Sequence, residues 1–424
     1  MNGIHLRCDM TGATYDAGKV RYRSDAGEPL DVVHDLTALS HLTTETFDAR
    51  LRSRNPLDRS GVWRFRDLIA PLAPEHVVTR REGNTGLYDS PRLASWVGLD
   101  RIQLKHEGEN PTGSFKDRGM TAAISLAKSL GMQRVACAST GNTSAAMAAY
   151  AAQAGMQGIV FIPDGKIAYG KLSQALAYGA RTLQIEGDFD DAMGLVQQVC
   201  NELGIYLVNS INAFRIEGQK AIGFEILQDL GWTVPDWIVL PGGNLGNNSA
   251  ISKGMMELYA LGLIDRLPRI AVIQAAGANP LFTAWTQGAD VVPIKADTIA
   301  SAIKIGAPVS WRKSLRGLKA CQGVVAQATD QQILDAKAQV DAAGIGAEPA
   351  SCATVAGIKM LREQGVIGES EHVVGVLTGH LLKDPDLVVG YHQGTLEGFD
   401  LSYRNAPTRI DPTLDAVKKA LESA

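Results

Sequence analysis

The chain has 424 residues, 45% of them hydrophobic and 20% charged, with a formal net charge of −4. Such a composition suits a globular protein of two or three subdomains with a sizeable core. It leaves no electrostatic footprint for nucleic acid or an anionic membrane, and no apolar run nears the roughly 20 residues that span a bilayer.

In chain order, residues 1 to about 75 are rich in charge and weak in periodicity (RYRSDAGEPLDVVHDL, HLTTETFDARLRSRNPLDRSGVW), and read as an irregular N-terminal arm packed on the main body. The first residues lack the apolar stretch of a signal peptide and the Arg/Ser-rich character of a transit peptide. Cys8, Cys137, Cys200, Cys321 and Cys352 are scattered without paired spacing. That argues for a reducing compartment, the cytoplasm by default, and against disulfides or a structural zinc site.

From about residue 100 short β-branched runs alternate with helical stretches. RVACAS (134–139) precedes the helix NTSAAMAAYAAQAG, GIVFIP (158–163) precedes KLSQALAYGA, and RTLQIE (181–186) precedes DFDDAMGLVQQVCNELG with Asp188 near its N-cap. IYLVN (205–209) leads to EGQKAIGFEILQDLG, WIVLPGG (237–243) to NNSAISKGMMELYALG, and RIAVIQAA (269–276) to NPLFTAWTQG; HVVGVLTG (372–379) closes the series. Apolar strands between amphipathic helices predict an open α/β architecture with a parallel sheet covered on both faces. The uneven turns do not suit an eightfold barrel. Beyond about 386 the alternation fades until DPTLDAVKKALESA, a helix beginning at Asp411-Pro412.

Four stretches carry chemistry. In EGENPTGSFKDRGM (107–120), Lys116 stands where a helix begins. The positive end of the helix dipole disfavours its charged form. A surface lysine packed on Phe115 is the ordinary reading, and an amine kept partly neutral to form an imine with a carbonyl cofactor is the functional one. In ASTGNTSAAMAAY (138–150) a helix start gathers hydroxyls and free N–H groups, as an anion site or a plain N-cap would. PGGNLGNNSA (241–250) places three glycines between a strand and a helix. It is neither a Walker loop nor a dinucleotide fingerprint, and suits a single phosphate. In VLTGHLLKDP (376–385), Thr378 ends a strand, where ligands bind in open α/β sheets. His380 beside it is a catalytic candidate or a structural turn residue. His106-Glu107 is not a zinc motif, because Asn110 stands where a second histidine belongs.

Together these make one site for pyridoxal phosphate and an anionic substrate. With NPTGSFKDRGM, ASTGNTSAA, NSINAFRIEGQKA (209–221), PGGNLGN and LTGHLLKDP, nearly the whole chain resembles the threonine synthases, fold-type-II pyridoxal-phosphate enzymes related to tryptophan synthase β and threonine dehydratase. The longer, plant-like branch is the nearer one.

The resemblance implies a tryptophan synthase β-like fold of two open, mostly parallel α/β subdomains. These are a large cofactor-binding one (76–118 and 222–390) and a smaller inserted one (119–221), with an N-terminal arm (1–75) and a C-terminal tail (391–424). It implies that Lys116 forms the internal imine and shuttles protons, and that Asn142 bonds the cofactor's 3-hydroxyl. Gly243, Asn244, Leu245, Gly246 and Asn247 would cradle the cofactor phosphate, and Thr378 would meet the pyridine nitrogen. Ser139 and Thr143 would contact the substrate, and Ser210 with Arg215 would hold the substrate phosphate. The implied reaction converts O-phospho-L-homoserine and water to L-threonine and phosphate, in a homodimer. A dehydratase of the same fold would not need Ser210 and Arg215, and a non-catalytic binding homologue would not need Lys116, Asn142 and Thr378. Relatives often begin with a zinc-ribbon-like pair of Cys pairs. Here Cys8 is joined only by Thr11, Ser24 and Ala26, so no metal is expected.

Overall fold

The computed structural model describes residues 3–163, 169–186, 195–196, 198–200 and 202–422. The helix expected over 188–204, with Asp188 near its cap, falls largely outside the described residues. The chain divides into two compact units, Met1–Lys383 and Asp384–Ala424.

The first unit opens with strands β1 (Ile4–Cys8), β2 (Thr14–Tyr15) and β3 (Leu30–His34), an antiparallel sheet ordered β2-β1-β3, followed by helix α1 (Thr44–Leu51). The arm is therefore not irregular. Strand β3 does not read as alternating because Asp31 and His34 are buried with partners, and β1 and β2 are only five and two residues long.

Strand β4 (Leu87–Asp89), helix α2 (Pro91–Val97) and strand β5 (Ile102–His106) lead to helix α3 (Lys116–Ser129). A smaller sheet follows, built from β6 (Arg134–Ala138), β7 (Gln157–Pro163), β8 (Arg181–Ile185) and β9 (Tyr206–Leu207), with helices α4 (Asn142–Ala154) and α5 (Tyr169–Ala177) between them. Its order is β8-β7-β6-β9, all parallel. Helix α6 (Ala213–Asp229) returns the chain to β10 (Trp237–Pro241), α7 (Gly246–Ala260), β11 (Arg269–Ala275), α8 (Pro280–Gln287), α9 (Trp311–Ala320), β12 (Val324–Ala328), α10 (Asp330–Ala342), α11 (Pro349–Glu363) and β13 (Val373–Leu377).

The six-stranded sheet runs β12-β11-β10-β13-β5-β4. All its pairings are parallel except that of β4 with β5 at the edge. Alternate residues of each central strand enter opposite cores. Ile238, Leu240, Ile270, Val272, Val374 and Val376 pack with α6 and α7 residues, whereas Trp237, Val239, Ala271, Ile273, Val373 and Leu377 pack with α11. Burial on both faces explains why these strands read as continuous apolar runs.

Helix α6 is buried along nearly its whole length although it carries Arg215, Glu217, Lys220 and Glu225. Lys220 pairs with Glu217 and Glu257, each at 2.6 Å, and Lys253 also reaches Glu217. Glu225 pairs with Arg118 at 3.0 Å and Lys105 at 2.7 Å. His34, Glu217 and Glu257 converge closely enough to ligate a metal, but the ammonium groups of Lys220 and Lys253 already occupy that negative pocket.

The second unit contains helices α12 (Pro385–Gln393) and α13 (Leu414–Glu422). Helix α12 lies where the alternation fades, and α13 starts three residues after Asp411.

Candidate active site

Five loops at the carboxyl ends of parallel strands build the site, as open α/β sheets favour. The loop after β5 ends in Lys116, the first residue of α3. Its neighbours fix the lysine. Asp117 accepts from the Thr112 amide at 2.7 Å and also from the Thr112 hydroxyl, closing the Pro-Thr-Gly turn. Burial pushes the Asp117 carboxyl up to about 7. Arg118 points the other way, where its guanidinium meets Glu107 at 2.6 Å and Glu225 at 3.0 Å in a fully buried network. The amide of Phe115 donates to the Thr378 carbonyl at 2.9 Å, and that of His380 to the Gly113 carbonyl at 3.0 Å. The lysine loop is thereby stitched to the end of β13.

The Lys116 amine lies 3.8 Å from the centroid of the Phe115 ring. Burial, reinforced by the charge of Arg215, pushes its pKa down to about 7 despite the opposing pull of Glu348. An amine so poised gives up its proton near neutrality, as a nucleophile or proton carrier must.

Helix α6 meets α3 at two glycines. A methyl at Gly218 would lie 2.0 Å from the Arg118 carbonyl oxygen, and one at Gly119 2.7 Å from that of Arg215. Only hydrogen at both positions lets the helices approach and brings Arg215 near Lys116.

The motif NSINAFR is resolved atom by atom. Asn209 pairs with the Ala138 main chain at 2.9 and 3.0 Å, joining the ends of β9 and β6. Ser210 Oγ accepts from Asn244 Nδ2 at 2.8 Å, and Asn212 caps α6 by accepting from Phe214 N at 3.1 Å. Arg215 donates from Nη1 to the Val208 carbonyl at 3.0 Å, while its buried Nε has no partner. Unlike Glu217, Lys220 and Glu225 on the same helix, it meets no carboxylate among the described residues. Burial pushes its pKa down to about 10.

The glycine-rich loop after β10 crosses to α7 through Leu245, which takes the left-handed conformation (φ 63°). Asn244 turns inward, donating to Ser210 and accepting from Val309 N at 2.7 Å. Leu245 packs in the core. At these two positions only the main chain is left to face a ligand. Gly243 is buried and Gly246 opens the helix, whereas both polar atoms of the Asn247 side chain are buried without partners. Orphaned amide groups at a helix start, beside a backbone that only a left-handed turn permits, fit a phosphate.

Ser139 and Thr143 are half-buried on the loop into α4, where Ser139 Oγ accepts from Gly141 N at 3.2 Å. On that loop Asn142 donates from Nδ2 to Glu348 at 3.0 Å. Thr378 is buried, with its hydroxyl 3.0 Å from Ser351 Oγ and 3.3 Å from Glu348. Sequence reasoning missed Glu348 and Ser351. The available signal was a glutamate directly before Pro349 at a helix start, a position that favours shorter caps. His380 accepts the Leu382 amide at 3.1 Å, and burial lowers its pKa. His106 is tied to the Gly346 carbonyl at 2.9 Å.

Comparison with known proteins identifies the family. A family model described as pyridoxal-phosphate dependent enzyme matches residues 78–379. A threonine synthase of Methanosarcina acetivorans is 45% identical over 98% of this chain and 98% of its own length. One from Methanocaldococcus jannaschii is 44% identical over 90% and 94%. A chloroplastic threonine synthase of Arabidopsis thaliana is 39% identical over 97% and 83%. A crystal structure of threonine synthase from Escherichia coli superposes with a TM-score of 0.69 over 99% of both chains at 17% identity, and so shares the fold. The chain belongs to the pyridoxal-phosphate dependent enzymes and, among them, to the threonine synthase family.

Proposed function

We propose that the protein converts O-phospho-L-homoserine and water to L-threonine and phosphate, with Lys116 as its catalytic amine. The observation that carries this reading is Arg215, a buried guanidinium without a carboxylate partner among the described residues, on a helix whose other charges are paired, and close enough to Lys116 to depress its pKa. Burying such a charge costs several kcal/mol unless an anion arrives, and a planar guanidinium suits a phosphate. A second anion site is available in the loop 243–247, so the substrate's phosphate and that of pyridoxal phosphate need not compete.

When bound, pyridoxal phosphate supplies the electron sink for carbanion chemistry. Gly243, Asn244, Leu245, Gly246 and Asn247 would hold its phosphate, Lys116 its aldehyde, Asn142 its hydroxyl and Thr378 its ring nitrogen. The remaining work belongs to side chains. Ser139 and Thr143 orient the substrate, and Ser210 with Arg215 grip the phosphate that leaves from the γ-carbon. Lys116 takes the α-proton and moves protons at the β-carbon where water adds. A neutral amine at physiological pH is what such a base requires.

Free, buried cysteines support a cytoplasmic setting, and the family likeness supports a homodimer. No helix among the described residues is long and apolar enough to cross a membrane.

The test is to incubate purified protein and cofactor with phosphohomoserine, measure phosphate, and identify the amino acid. Equimolar threonine and phosphate support the reading. A 2-oxo acid with ammonia, from a hydroxy amino acid and with no need of phosphohomoserine, would replace it with a dehydratase.

A further inference from the structure

Glu348 lies in none of the motifs above, yet its carboxylate sits where three loops of the site meet. One oxygen accepts from Asn142 Nδ2 at 3.0 Å and the other from the Thr378 hydroxyl at 3.3 Å. We propose that Glu348 is a positioning residue that yokes Asn142 to Thr378 and sets a carboxylate facing the Lys116 amine. The inference rests on the reading that those three side chains hold pyridoxal phosphate.

The carboxylate is built into place. Glu348 precedes Pro349 at the start of α11, yet its side chain makes no capping bond to its own helix. Its amide donates to the Gly379 carbonyl at 2.9 Å, and the Gly379 amide donates to Ser351 Oγ, also at 2.9 Å. A methyl at Gly379 would come 2.4 Å from the Glu348 carboxyl carbon, so only glycine leaves room for the group. Ser351 meets the Thr378 hydroxyl at 3.0 Å from one helical turn further on. The N-cap and an early residue of α11 therefore hold Thr378, and the N-cap Glu348 also holds Asn142 from the loop into α4. The residue is only 2% exposed, where a carboxylate acts on its neighbours with little screening.

The charges that face it come from several elements. Lys116 approaches from α3, Lys383 from the loop after β13, and Cys352 from α11 itself. Lys116 in turn faces Arg215 of α6, and Lys383 faces Asp117. His380 faces His106, Lys383 and Glu109. Arg215 opposes protonation of Lys116 and Glu348 favours it, so the pair brackets the amine.

The experiment uses holoenzyme of wild type, E348Q, E348D and E348A, with K116A as control. The bound cofactor's absorption is titrated with pH, and cofactor affinity, melting temperature, kcat and KM are measured on the same samples. E348Q keeps size and one acceptor oxygen but removes the charge. It should fold like wild type, titrate about one pH unit lower, and lose about tenfold in kcat with little change in KM. E348D should recover part of the shift, and E348A should bind cofactor about tenfold more weakly as Asn142 loses its partner. An E348Q enzyme that titrates and turns over like wild type would overturn the proposal. So would variants that merely melt early with an unshifted titration. If wild type itself shows no cofactor band that K116A abolishes, the fault lies with the proposed function and not with Glu348.

Discussion

Replacing Arg215 with methionine separates a phosphate-binding role from every structural role this side chain could have. Methionine keeps most of the volume and none of the charge. In the protein alone, the change removes a buried guanidinium that, among the described residues, leaves Nε unpartnered and donates to the Val208 carbonyl at 3.0 Å. Relief of an uncompensated charge offsets that lost bond, so the melting temperature should hold or rise. With phosphohomoserine the balance reverses. A charge-assisted contact in a buried site is worth about 2–5 kcal/mol when one partner is truncated, which is roughly 30- to 5,000-fold in kcat/KM. On the proposed reading the cofactor phosphate takes the separate 243–247 loop, so its affinity and absorption should persist. Steady-state phosphate release and a cofactor titration on one preparation give all three quantities. Unaltered kcat/KM would refute the argument, because the substrate phosphate would then have another holder. Loss of cofactor or of melting temperature together with activity would also refute it, by assigning Arg215 to the cofactor or to the fold.

Lys116→Ala should abolish threonine formation and the cofactor's visible band, measured on protein that retains its circular dichroism. Lys116 also carries a pH signature. Its folded-state pKa, about 7 through burial and Arg215, lies below the unfolded value, so the unfolded chain binds the extra proton between the two. Stability of the cofactor-free protein should therefore rise with pH from about 7 to about 10.5 relative to Lys116→Met, as denaturant titrations would reveal; parallel curves would refute the depressed pKa. Thr378→Asp sets a carboxylate beside Glu348 and the proposed ring-nitrogen position, and should lower turnover and favour side reactions such as transamination. Product analysis checks this, and Thr378→Ser should behave nearly as wild type. Gly218→Ala drives a methyl to 2.0 Å from the Arg118 carbonyl, so it should cost about 1–3 kcal/mol in chemical denaturation and lower activity by parting Lys116 from Arg215.

Much of this protein was written in local pattern. The apolar runs at 237–241, 269–275 and 373–377 announce buried parallel strands because both their faces meet helices. Lys116 at a helix start, the glycines of 242–246 and Thr378 at a strand end are each legible because backbone chemistry constrains them within a few residues. The N-terminal sheet was not legible: β3 buries Asp31 and His34, whose burial makes sense only beside Arg316 and Lys313 or Glu217, far along the chain. Nor could sequence tell that Asn244 serves Ser210 and Val309, or that Glu348 abandons its own helix to join Asn142 and Thr378. Local chain geometry decides which residues lie at strand ends and helix starts. Long-range packing, here the glycine contact of α3 with α6 and the seating of α11 beneath β13, decides which charges go unpaired, and an unpaired buried charge is what distinguishes a binding site from a salt bridge.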